Sequence, residues 1–124
     1  MTQYIKDRYG LLINGEWVEA EGGRTFDTFN PATGEKLASC ADASAADVER
    51  AVRAARAAQP AWAAKSVQER AALLLKIADK IDERAKELAT VETLDNGKPI
   101  RETTLVDVPL SSDHFRYFAG CIRC

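Results

Sequence analysis

Four groups of residues in this chain are of types that can do chemistry. Cys121-Ile122-Arg123-Cys124 is a pair of thiols at a spacing used for thiol–disulfide exchange and for half of a zinc site. Exchange chemistry wants the pair at a helix start, where aligned amides lower a thiol pKa. Here the pattern places it at a helix end, where the partial negative charge acts the other way. A lone pair also leaves a zinc site half built. His114 is the sole histidine, and no patterned Ser, Cys or second ligand stands near it, so it reads as a packed or partly exposed residue. Gly22-Gly23 and the Gly10-to-Gly15 spacing lack the Lys-Ser/Thr of a phosphate loop and read as turns, with Glu21 to Arg24 a solvated bend. Asp95 precedes Asn96-Gly97, and its plainest role is to cap or hydrogen-bond that turn. None of these groups is a catalytic constellation.

The elements that must carry them follow from pattern. Asn14-Gly15 between Leu11-Leu12-Ile13 and Glu16-Trp17-Val18 predicts a tight hairpin, because both central residues must tolerate positive φ. Thr25–Phe29 predicts a strand that runs into the turn Asn30-Pro31-Ala32-Thr33-Gly34 and returns along 35–40. Ser44-Ala45-Ala46-Asp47 is a capping-box-like start for a helix carrying Val48, Val52 and Ala55, ended by Pro60, with Trp62 in the following connector. Ser66-Val67-Gln68-Glu69 repeats the cap for one longer helix. Its stripe of Leu73, Leu74, Ile77, Ile81, Leu88, Val91 and Leu94 has a helical period, and Asn96-Gly97 with Pro99 stops it. A last helix runs to about Ile122, with Pro109 tolerable near its start. Val106, Leu110 and His114 are spaced i, i+4, i+8 and share a face if Pro109 does not break it.

Composition bounds the rest. The 124 residues are 46% hydrophobic and 29% charged, globular in type, but much of the apolar content is Ala and aromatics are only 7%, so the core should be thin. Net charge is -2 with acids and bases interleaved, which argues against a nucleic-acid partner. No run approaches the ~18 apolar residues of a membrane span, and the first eight residues lack the apolar core of a signal peptide. Three cysteines without a disulfide pattern suit a reducing cytoplasm. The last helix is apolar over a wide arc (Leu110, Phe115, Tyr117, Phe118, Ile122) and needs neighbours on both sides, as a layer of a larger body or an associating subunit would have.

The ordered set Ile13-Asn14-Gly15-Glu16-Trp17, Asn30-Pro31-Ala32-Thr33-Gly34, the Ala-rich helix closing at Trp62, and Glu92-Thr93-Leu94-Asp95-Asn96-Gly97-Lys98-Pro99 resembles the amino-terminal part of an NAD(P)-dependent aldehyde dehydrogenase. The likeness runs from about Leu11 to Arg123. Pro99-Ile100-Arg101-Glu102-Thr103, Asp107-Val108-Pro109-Leu110 and Asp113-His114-Phe115-Arg116-Tyr117-Phe118 look closest to the acetaldehyde and chloroacetaldehyde branch.

The resemblance implies an α/β parent of the aldehyde dehydrogenase type, represented here by β-hairpins over 11–40 and a helical layer of three or four helices over 44–123. The Rossmann-like cofactor core and the catalytic domain would then be absent from these 124 residues. It implies oxidation of short aliphatic aldehydes to acids with NAD or NADP. A Cys thiolate attacks the carbonyl, an Asn side chain and a backbone amide stabilise the oxyanion, and a Glu-activated water hydrolyses the thioester. Those Cys, Glu and Asn positions lie beyond Cys124 on this reading, so no catalytic or cofactor-binding residue is assigned. Two narrower roles carry over. Thr28, Phe29 and Asp95 match positions that hold a structural Na+ or K+ through backbone carbonyls and a carboxylate. Val106 and Leu110, with His114 beyond them, match the helix lining the aldehyde entrance.

The expected protein is thus the amino-terminal portion of a cytoplasmic, homo-oligomeric dehydrogenase, inactive as 124 residues alone, with an aldehyde substrate and neither nucleic-acid nor membrane partners. A rival reading is a truncated, non-catalytic helical module that binds a partner such as a full-length dehydrogenase subunit. A third is a Cys-x-x-Cys redox or zinc module.

Overall fold

The computed structural model describes residues 2–122, which form two compact units, the chain passing from one to the other between Ala63 and Ala64. The first unit holds the strands. β1 (Arg8–Tyr9), β2 (Leu11–Ile13), β3 (Glu16–Val18), β4 (Thr25–Phe29) and β5 (Lys36–Ala41) are followed by helix α1 (Ala45–Ala63). β2 and β3 are the expected hairpin, turning through Asn14 at φ 54° and Gly15 at φ 81°. β4 and β5 are the second hairpin, and β1 joins β5 in parallel with Arg8 opposite Ser39, giving a mixed sheet of order β1-β5-β4. That parallel strand, two residues long, carries no alternation by which its sequence could announce it.

Gly10 lies between the two sheets for a steric reason, since a Cβ there would sit 2.8 Å from the Val18 carbonyl oxygen. Glu21–Gly23 is more than a solvated bend. It is a 3-10 turn whose Glu21 N–H donates to Asp47 and whose Glu21 carboxylate accepts from the Ser44 hydroxyl at 3.0 Å.

α1 starts at the expected cap. The Asp47 N–H donates to Ser44 Oγ at 3.2 Å, and Asp47 Oδ2 accepts the Ser44 N–H at 2.9 Å. Pro60 does not end this helix. It stands in the final turn, where a missing N–H removes only one late hydrogen bond, and the helix continues to Ala63. Trp62 therefore belongs to α1 and not to a connector, and it is half-buried.

The second unit is helical. The single long helix expected after Ser66 is two helices, α2 (Val67–Glu83) and α3 (Ala85–Asn96), because Arg84 leaves the helical region at φ -107°, ψ 15°. Arg84 then closes α2 and opens α3, with its guanidinium turned to Glu87. The capping box at Ser66 is complete, and α3 stops where Gly97, at φ 79°, donates its N–H to the Thr93 carbonyl at 3.0 Å. A short helical turn α4 (Ile100–Glu102), a π-turn (Thr103–Asp107) and α5 (Val108–Cys121) complete the chain as described.

α2 and α5 pack as the main pair of this unit. The buried apolar residues of this unit are small: Ala71 and Ala78 on α2, Ala89 on α3, and Val108 and Ala119 on α5. Arg116 on α5 clamps the pair by reaching Asp79 at 2.9 Å and Asp82 at 2.7 Å on α2. The Ser112 hydroxyl and that guanidinium hold the Asp82 carboxyl below its ordinary pKa. No helix among the described residues is long and apolar enough to cross a membrane.

Candidate functional site

The three residues expected to line an entrance lie on the last helical stretch, and the structure changes how they relate. Pro109 does not break the helix. It is the second residue of α5, and the turn before it is widened, with the Val108 N–H donating to the Thr103 carbonyl five residues back. Proline lacks an N–H, and in an α register its ring would press on the Leu105 carbonyl, so a wider turn just ahead of it accommodates the ring. Val106 consequently sits in the π-turn, while Leu110 and His114 follow in α5. The i, i+4, i+8 rule holds for Leu110 and His114 but not across the turn to Val106.

All three side chains are exposed, Val106 and Leu110 at 48% each. Beside them stands Leu105, 69% exposed, which the spacing argument passed over because it assumed one α register. Leu105, Val106 and Leu110 are exposed apolar side chains on this stretch, of the kind an aldehyde path or a covering partner would use. Behind α5, a hollow of about 440 Å³ is lined by Ile81, Leu88, Val91, Glu92, Val108 and Ser111.

The π-turn is tied at both ends. Thr103, fully buried, donates its hydroxyl to the Ile100 carbonyl at 3.1 Å and lies 2.9 Å from the Thr93 hydroxyl on α3. Asp107, its last residue, pairs with Lys98 at 2.6 Å, which raises the Lys98 pKa. Sequence reasoning missed both ties. Two threonines facing inward from helices that meet near Gly97 were the only signal.

The residues matched to a monovalent-cation site fall in both units. Thr28 and Phe29 end β4 at a register shift, with Thr28 opposite Ala38 and Phe29 opposite Lys36, so the ladder skips Leu37. Such bulges re-aim backbone groups. Asp95 is exposed near the end of α3. At the following turn Asn96 itself supplies an Asx hydrogen bond, its Oδ1 accepting the Lys98 N–H at 2.8 Å. Backbone carbonyls and a carboxylate are oxygen donors that suit a hard cation.

Cys121 is a free, exposed thiol on the last turn of α5, and its hydrogen bond with the Tyr117 hydroxyl pushes that phenol's pKa up. Its Cys-x-x-Cys partner, Cys124, lies outside the described residues. Among the described residues Gly22 and Gly23 stand in a 3-10 turn with Glu21, a composition that does not fit the phosphates of a dinucleotide.

Solved structures share this arrangement of strands followed by helices. An aldehyde dehydrogenase from Bacillus cereus in complex with NAD+ superposes with a TM-score of 0.90 at 43% identity, over 94% of this chain and 24% of that one. PnpE in complex with nicotinamide adenine dinucleotide gives 0.88 at 46% identity, over 90% and 23%. The architecture is thus part of the aldehyde dehydrogenase α/β fold. The model of the aldehyde dehydrogenase family matches residues 17–124, and the chain belongs to that family. Among curated relatives, aldehyde dehydrogenase B of Escherichia coli is 50% identical over 119 residues, 96% of this chain and 23% of its own length. The acetaldehyde dehydrogenase of Pseudomonas aeruginosa is 50% identical over 119 residues, 96% of this chain and 24% of that protein. The chain spans about a quarter of the length of the curated relatives it matches.

Proposed function

We propose that these residues form the amino-terminal part of an NAD-dependent aldehyde dehydrogenase acting on short aliphatic aldehydes, of the acetaldehyde and chloroacetaldehyde branch. The observation that carries this reading is the 50% identity, spread over 96% of the chain, to an acetaldehyde dehydrogenase. NAD is favoured by the solved relatives that hold it. When bound, that cofactor supplies the hydride acceptor, and residues outside these 124 hold it. The nucleophilic Cys, the oxyanion-stabilising Asn and the Glu that activates water also come from outside them, in a thiohemiacetal-to-thioester route.

This chain's own part is to contribute to the cofactor domain and to wall the approach to the thiolate. Leu105, Val106 and Leu110 form that wall, with His114 one turn further along α5. Apolar side chains there admit a short alkyl chain and exclude water from the reacting thioester. The hairpins and the helices of both units serve one larger, homo-oligomeric, cytoplasmic enzyme. Thr28, Phe29 and Asp95 contribute to a Na+ or K+ site that braces it.

A chimaera tests the reading, with residues 1–124 joined to the rest of the Pseudomonas aeruginosa acetaldehyde dehydrogenase. It should form NADH from acetaldehyde within about tenfold of that relative's kcat/KM, a loss of no more than ~1.4 kcal/mol in transition-state stabilisation. A folded chimaera that binds NAD yet favours aromatic over short aliphatic aldehydes would overturn the substrate assignment.

A further inference from the structure

We infer that Thr103 is a positioning residue for aldehyde selectivity: its buried hydroxyl fixes the π-turn that decides which apolar side chains stand beside Leu110. The inference rests on the entrance reading of α5 given above. An α-helix advances about 100° per residue, so the one extra residue of a π-turn rotates everything after it by about that angle relative to everything before. The exposed residues of the turn, Leu105 and Val106, would therefore face elsewhere relative to Leu110 if the turn closed in an α register. Which side chains border the path is a matter of register as much as of residue type.

Pro109 explains why a wide turn is tolerated here, but not why it begins at Thr103. The side chains do. Thr103 has one hydroxyl proton, which it donates to the Ile100 carbonyl at 3.1 Å, so the hydrogen bond of 2.9 Å with Thr93 is donated by Thr93. Both bonds are made at the first residue of the π-turn and join it to α4 and α3. At the last residue the Asp107–Lys98 pair joins it to the loop after α3. Ser111 turns its hydroxyl back onto the carbonyl of Asp107 (2.8 Å). Thr103 is wholly buried, whereas Thr104, Leu105 and Val106 are exposed. A valine would fill the same volume, so the hydroxyl is there for the arrangement it specifies.

The test uses the chimaera described above, with kcat and KM measured for acetaldehyde and hexanal. Thr103→Val should change the hexanal-to-acetaldehyde ratio of kcat/KM by fivefold or more, through KM, with kcat for acetaldehyde within twofold. Thr103→Ser, which keeps the hydroxyl, should restore the ratio. Leu110→Trp reports on the entrance itself. If Leu110→Trp moves the ratio and Thr103→Val lowers only Tm, or weakens both substrates equally, the positioning role is wrong and the entrance stands. If neither moves it, the entrance reading fails and takes the inference with it. Should Thr103→Val not fold, Asp107→Asn loosens the other end of the turn and must move the ratio in the same direction; an unchanged ratio there overturns the inference.

Discussion

Asp47 accepts the backbone N–H of Glu21 at 2.9 Å across 26 residues of sequence, and the same carboxylate oxygen takes the Ser44 N–H at 2.9 Å. Its other oxygen receives the Arg50 guanidinium at 2.7 Å. One buried side chain thereby caps α1 and anchors the 3-10 turn that follows the first hairpin. The cap was readable from Ser44-Ala45-Ala46-Asp47; the reach back to Glu21 was not, since nothing local encodes a contact at that separation.

A pH dependence follows. The Glu21 amide first, then the Ser44 amide, hold the Asp47 carboxyl below its usual 3.8. A carboxyl with a lowered folded pKa stabilises the fold fully above its unfolded value and loses that stabilisation as pH falls through the folded one. The Tm difference between the parent protein and Asp47→Asn should therefore be greatest above about pH 4 and shrink as the pH falls below it. Thermal melts across that range check it, and a constant difference would assign the acid sensitivity to other groups.

Core packing predicts an inversion of the usual hydrophobic ranking. Ala78 on α2 is completely buried, while Leu73, five residues earlier on the same helix, is 45% exposed. Ala78→Leu should cost about 1–3 kcal/mol by overpacking, more than Leu73→Ala on the chain as described. Urea unfolding of both variants, at equal m-values, would read this out; a larger loss for Leu73→Ala would mean that Leu73 is covered in the working protein.

The elements that were legible in advance share a property: their signals are local. Asn14-Gly15, the caps at Ser44 and Ser66, and Gly97 each act within a turn of themselves, and each stands where it was expected. The departures are non-local or depend on a register. β1 pairs across thirty-one residues, from Arg8 to Ser39. The break at Arg84 has no Gly or Pro to mark it, and the apolar stripe runs on through it. The π-turn shifts the phase that the Val106–Leu110–His114 spacing had assumed, so the apolar character of the face was readable while its membership, including Leu105, was not.

Helix α2 offers the simplest capping test. Ser66 Oγ accepts the Glu69 N–H at 3.2 Å, and the Glu69 carboxylate takes the Ser66 N–H at 2.8 Å; the Ser66 hydroxyl, 2.7 Å away, and then that N–H hold the Glu69 carboxyl below its ordinary pKa. Ser66→Ala should cost about 1 kcal/mol of stability, while Ser66→Asp, which keeps an acceptor, should cost only a few tenths. Equal losses in denaturant titrations would show that packing at this position, and not the cap, carries the effect.

The proposed cation contribution of Thr28, Phe29 and Asp95 makes a salt-specific prediction for the chimaeric enzyme. A ligand that binds only the folded state stabilises it by RT ln(1 + [L]/Kd), about 1.4 kcal/mol for 100 mM of an ion held at a Kd of ~10 mM. Melts in sodium, potassium and choline chloride at one ionic strength separate this from screening, because choline screens equally but is too large for a site of carbonyl oxygens. Tm should be higher in one alkali salt than in choline, and Asp95→Asn should remove most of that difference by replacing a charged oxygen donor with a neutral one. Identical melts in all three salts would remove the cation role and leave the register shift at Thr28 and Phe29 as a feature of the β4–β5 hairpin alone.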